Sequence, residues 1–102
     1  MKPQSYSQTG AGTTDAYVVN TNSPLVNIGI AVVVSGTVNY TVQHTYDSPA
    51  PAGFTTWFND ANLTGKTATA ETSINFPITG LQLIVNSGNG TATMTVVQSG
   101  LV

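Results

Sequence analysis

The fold is decided by residues 25–46: Leu25-Val26-Asn27-Ile28-Gly29-Ile30-Ala31-Val32-Val33-Val34, Ser35-Gly36-Thr37, and Val38-Asn39-Tyr40-Thr41-Val42-Gln43-His44-Thr45-Tyr46. Val26, Ile28, Ile30, Val32 and Val34 fall on one parity of the first arm. Val38, Tyr40, Val42, His44 and Tyr46 fall on one parity of the second. A period of two with β-branched and aromatic residues on one face predicts two half-buried strands. Ser35-Gly36 between them predicts a tight hairpin, since glycine accepts the positive φ that such turns require.

A second pair of the same kind spans residues 78–98. Leu81, Leu83 and Val85 share one parity, Asn86-Ser87-Gly88-Asn89-Gly90 makes a turn, and Ala92, Met94 and Val96 share a parity on the return. Gly36-Thr37-Val38-Asn39-Tyr40-Thr41-Val42 matches Gly90-Thr91-Ala92-Thr93-Met94-Thr95-Val96 at Gly, Thr, Thr and Val. The match predicts two equivalent hairpins facing each other across a sandwich. Short strand signals also occur at residues 4–9, 16–20 and 64–71. No helix-period pattern of normal length occurs. The fold expected is all-β: an antiparallel β-sandwich or jelly-roll-like barrel of about 6–8 short strands. Residues 1–14, polar and ending in a Gly-Thr-rich run, read as a flexible arm. Residues 15–102 read as one β-sandwich domain.

Composition narrows the function. Of 102 residues only 6% are charged, namely Lys2, Lys66, Asp15, Asp47, Asp60 and Glu71. Ordinary domains carry about 25%. Such a surface relies on hydroxyls and amides for solubility, or it works packed against other subunits. A net charge of −2 with two lysines provides no basic patch, so no nucleic-acid partner is expected. With no cysteine, disulfides and thiolate metal sites are excluded. The longest apolar run, residues 28–34, is too short for a bilayer, and the first residues lack the apolar core of a signal peptide. A soluble product made in the cytoplasm, with no membrane partner, is the expectation.

Chemistry-bearing residues are sparse. His44 is the lone histidine, and its nearest carboxylate in sequence is Asp47. It reads as a structural residue at a strand end, because general-base work needs a partnered geometry. Asp15, Asp47, Asp60 and Glu71 are scattered and show no ligand spacing, although loop carbonyls with Asp47 and Asp60 would suit a hard cation. They read as solvated loop acids. No enzyme, metal or cofactor is therefore expected. Phe54, Trp57 and Phe58 read either as a plug over the sandwich end or as a contact surface: a hydrophobic anchor or a sugar-stacking face.

Residues 34–47 (Val-Ser-Gly-Thr-Val-Asn-Tyr-Thr-Val-Gln-His-Thr-Tyr-Asp), the polar Met1-Lys2-Pro3-Gln4-Ser5 opening and the strand at residues 90–98 resemble small virion proteins of tailed bacteriophages. The resemblance implies a phage structural protein, foremost a capsid decoration or cement protein that bridges major capsid subunits as a dimer or trimer. It would be made in the host cytoplasm and reside on the capsid surface of the virion. Alternatives are a tail- or fibre-associated virion component and, from another class, a carbohydrate-binding module. Partner contacts are expected from Gln4, Tyr6 and Gln8, through strand addition at a neighbour's sheet edge, and from Phe54, Trp57 and Phe58. On this reading, deleting residues 1–12 lowers occupancy on capsids and leaves circular dichroism and thermal midpoint unchanged.

Overall fold

The computed structural model describes residues 4–19, 28–47, 55–74 and 78–98. Four long strands carry the expected parity. They are β4 (Ile28–Ser35), β5 (Val38–Thr45), β8 (Gly80–Gly88) and β9 (Thr91–Gln98). Ile28, Ile30 and Val32 face inward from β4, Val38, Tyr40 and Val42 from β5, Leu81, Leu83 and Val85 from β8, and Ala92, Met94 and Val96 from β9. These twelve side chains form most of the core. Among the described residues there are five shorter strands: β1 (Gln4–Thr9), β2 (Gly12–Thr13), β3 (Tyr17–Val18), β6 (Phe58–Asn59) and β7 (Ala70–Ile74).

The long strands do not form hairpins. β4 pairs with β9 and β7, whereas β5 pairs with β8 and β6. Each expected hairpin is therefore an arch whose turn passes from one sheet to the other. The two arches interlock, and their turns pack backbone on backbone. Gly36 and Gly88 have φ of 82° and 104°, conformations open to glycine at little cost. A Cβ on Gly88 would overlap the Thr37 carbonyl oxygen, and one on Gly90 would overlap that of Ser35. In this space the Gly90 N–H donates to Thr37 O over 2.9 Å.

Exchanging the arches maps β4–β9 onto β8–β5, so the repeat read from Gly36 and Gly90 has a structural counterpart. A bulge breaks the equivalence. Asn39 pairs with Ser87 but Tyr40 pairs with Val85, which leaves Asn86 as the extra residue. Its amide donates to Asn39 Oδ1 and Thr41 Oγ1, each at 3.0 Å.

The lateral margins follow the same exchange. On one side β1 runs along β9, and the chain then crosses at residues 10–11 so that β2 and β3 lie end to end on β8. On the other side β6 lies on β5, residues 60–66 continue along β5 through hydrogen bonds at Val42 and Tyr40, and β7 then joins β4. The sheets are thus β1-β9-β4-β7 and (β2, β3)-β8-β5-β6, the arrangement of a jelly roll. Leu63 drops from the crossing segment into the core and is fully buried.

In this architecture the segment read as an arm is not free over residues 4–9: there it is a sheet strand, where the sequence also carries a strand signal. Residues 4–9 pair with residues 91–96 without a break. The Tyr6 ring packs edge-on against Tyr17 of the opposite sheet, with centroids 6.4 Å apart. The strand's polar composition comes from its outward parity, Ser5, Ser7 and Thr9. These hydroxyls pair with Thr95, Thr93 and Thr91 at 3.1, 2.9 and 2.8 Å.

Two measurements test this account. Deleting residues 1–12 is now expected to destabilise the domain by on the order of 3 kcal/mol, from lost Tyr6 burial and cross-strand pairs; an unchanged denaturant midpoint would restore the free arm. Glycine substitutions should also diverge. Gly90→Ala inserts a methyl group into backbone and should cost about 1–3 kcal/mol. A Cβ at Gly29 meets nothing nearer than Val97 O at 3.8 Å, so Gly29→Ala should stabilise by roughly 0.4–1 kcal/mol.

Candidate functional site

The expected contact residues occupy opposite margins of the sandwich. Gln4, Tyr6 and Gln8 lie on β1, at the margin that also carries β2 and β3. Trp57 and Phe58 lie at the margin made by β6 and β7, where Asn62 Nδ2 donates to Thr72 Oγ1 over 3.0 Å. Phe54 lies outside the described residues. The structure therefore places the two groups of expected contact residues on separate surfaces. On β1, Tyr6 is half-buried against the core, and Gln4 is exposed.

The second margin holds an aromatic cluster that is larger than Trp57 and Phe58. Phe58 sits opposite His44 in the β5–β6 ladder. Its ring is nearly parallel to the imidazole, at 25° with centroids 6.1 Å apart. Tyr46 meets His44 edge-on at 5.5 Å and Phe58 at 5.6 Å. His44 is buried, while Tyr46 and Phe58 are 54% and 48% exposed. Trp57 is half-buried beside them in sequence. Two large rings thus face solvent on an imidazole base. The inward parity of β5 runs on from His44 to Tyr46, which was the sequence signal for Tyr46. Its meeting with Phe58 depends on strand pairing that periodicity does not encode.

A carboxylate fixes this margin. Asp47 Oδ2 accepts the Thr55 and Thr56 backbone N–H groups at 2.7 and 2.6 Å and the Thr55 hydroxyl at 3.1 Å. Thr45 adds a bond from its hydroxyl to Thr56 O at 2.6 Å. Asp47 thereby joins the end of β5 to the residues leading into β6, and so sets the approach of Trp57 and Phe58. The Thr56 and then Thr55 N–H groups hold its carboxyl below the ordinary value of 3.8.

His44 interacts electrostatically with Asp60, not with the Asp47 that is nearest in sequence. Burial pushes the imidazole below its ordinary 6.5, and the Asp60 carboxylate offsets part of that. Asp60 is buried at the turn after β6, where its Oδ1 accepts the Asn62 N–H at 2.7 Å. Asp47 and Asp60 thus serve separate turns. Among the described residues, no group of three or more His, Asp or Glu side chains is placed to hold a metal.

No protein-family model matches this sequence, and no curated protein does. A similar solved structure comes from work on Bacillus endospore appendages, described there as a novel family of disulfide-linked pili. It superposes with a TM-score of 0.50 at 14% identity, over 99% of this chain and 87% of that one. The fold is what they share. The present sequence has no cysteine with which to make such a linkage.

The buried imidazole predicts a pH dependence. The folded-state pKa of His44 is depressed, so as pH falls the unfolded chain takes up the proton first. Its contribution to stability is complete above about pH 6.5 and is lost as pH falls through the folded-state value. Asp47 acts in the same sense in a lower window, beginning near its ordinary 3.8. Thermal midpoints should be level from pH 8 to about 6.5 and should decline below that, with His44→Gln removing the upper part of the decline. A wild-type midpoint that is level down to pH 5 would refute the assignment.

Proposed function

We propose that this chain is a structural subunit of a larger protein assembly, bound through the aromatic margin of Tyr46, Trp57 and Phe58. The observation that carries the reading is that margin's exposure in a molecule nearly without charge. Half-exposed Tyr46 and Phe58 are fixed by His44 and the Asp47 clamp rather than left as isolated surface residues. Rigid aromatics lose little conformational freedom on docking and are common binding hot spots. With 6% charged residues, the surface does little to repel a partner. The pilus-protein neighbour supports an all-β sandwich as a suitable building block and goes no further.

The finer reading is a phage head decoration protein, drawn from the resemblance of residues 34–47 and 90–98 to small tailed-phage virion proteins. Its partner would be the major capsid protein. Its mechanism would be bridging: a ligand that binds only the assembled lattice lowers the free energy of that lattice relative to separated subunits. A tail position uses the same contact chemistry with a different partner. The sugar-stacking alternative would use Trp57 and Phe58 as its face, and the Tyr46 ring, 62° from that of Phe58, does not extend the Phe58 plane.

The test is cryo-electron microscopy of whole particles whose genome carries this sequence. Density at capsid subunit junctions, contacted by Tyr46 and Phe58, is the expected result. In binding to purified particles, Tyr46→Ala and Phe58→Ala should each weaken affinity about tenfold, the loss of roughly 1.4 kcal/mol at an anchor residue. Density on the tail would move the partner. Absence from the particle would overturn the phage assignment.

A further inference from the structure

We propose that the outer edge of β1 pairs antiparallel with β1 of a second copy of this chain, joining two four-stranded sheets into one continuous sheet. The inference rests on the subunit reading and names one of its partners.

The sandwich has four lateral edges, and three of them carry features that oppose strand addition. β7 bears Glu71, and the Asn62 side chain reaches its Thr72. β2 and β3 are two-residue pieces, with Asp15 in the interval between them. β6 is two residues long and ends at the turn held by Asp60. Short length, charge and interruption are the usual means by which sheets avoid edge-to-edge pairing. β1 has none of these. It runs for six residues, Gln-Ser-Tyr-Ser-Gln-Thr, without charge, proline, glycine or bulge. Among the described residues it pairs on one side only, with β9. Alternate residues of an antiparallel strand direct N–H and C=O away from the first partner, so β1 presents a row of donors and acceptors to solvent.

The strand is also complementary to itself, as a closed two-fold contact requires. With Ser7 opposite Ser7 of the second copy, Ser5 meets Thr9, and Tyr6 meets Gln8. Outward hydroxyls then face outward hydroxyls. They would extend the row that already links Ser5, Ser7 and Thr9 to Thr95, Thr93 and Thr91. The other three edges, being defended, leave β1 to pair with its own copy, and growth stops at the dimer.

The absence of cysteine makes the test direct. Paired strands bring opposed Cα atoms to about 4.5–5.5 Å, within the range a disulfide spans. Under mild oxidation, Ser7→Cys should cross-link to a covalent dimer. Thr93→Cys, on the same face but one strand from the seam, should cross-link far more slowly. By sedimentation equilibrium the wild-type protein should dimerise in the micromolar range, and Ser7→Lys should remain monomeric with the wild-type circular dichroism spectrum. If Ser7→Lys unfolds, the cysteine comparison decides alone. A wild-type monomer at millimolar concentration, or equal cross-linking of the two cysteine variants, overturns the proposal. Attachment of a monomer to particles would leave the subunit reading standing with the β1 edge given to another chain.

Discussion

At the crossing of the two arches the main chain of residues 35–37 lies against that of residues 88–90, and the Gly90 N–H reaches Thr37 O. Side chains are excluded there by space. The separation and angle of the two sheets at that end are therefore set by backbone contact. The inward rows from Val38 and Ala92 onward begin at this crossing and face each other across the core. Moving either turn outward to admit a methyl group would shift two strand pairs at once. The glycines at 88 and 90 thus set packing well beyond their own turns, because close-packed interiors transmit displacement.

Strand positions were legible in residues 25–46 and 78–98 because a face that meets the core selects one parity, and parity is local. Partner choice was not. Ser35-Gly36-Thr37 permits either a hairpin or an arch, and the difference lies in pairing with residues 80–98, far along the chain. The Gly36 and Gly90 repeat carried the missing information in dilute form, since equivalent strands in exchanged halves see equivalent surroundings. It became readable once pairing was known. β1 gave only a short strand signal, because its outward parity is polar and only Tyr6 supplies an inward apolar side chain, a pattern shared with many loops.

The aromatic margin was half legible for a related reason. Trp57 and Phe58 stood out by residue type alone, whereas Tyr46 and His44 read as the tail of a strand. Ladder pairing of His44 with Phe58 converts three separate rings into one surface. The acids show the same division. Asp47 and Asp60 looked alike in sequence, yet one gathers the N–H groups of Thr55 and Thr56 and the other closes a turn beneath an imidazole. With so few charges in the molecule, each carboxylate acts on its immediate neighbours with little competition from other ionised groups.

The pairing of β1 with β9, in which Gln4 lies opposite Val96, sets the order of events during synthesis. β4 also waits for β9, and β5 for β8. A nascent chain that has emerged only as far as Thr45 holds two apolar strand faces and neither long partner. The ladders therefore close late, after long loops have lost their freedom, and such topologies fold in milliseconds to seconds rather than microseconds. Until β8 and β9 leave the ribosome, Ile28, Ile30, Val32, Val38, Tyr40 and Val42 have no sheet to cover them. During this interval the uncovered apolar faces are open to association, so recovery of folded protein depends on how soon the later strands follow as well as on the stability of the finished domain.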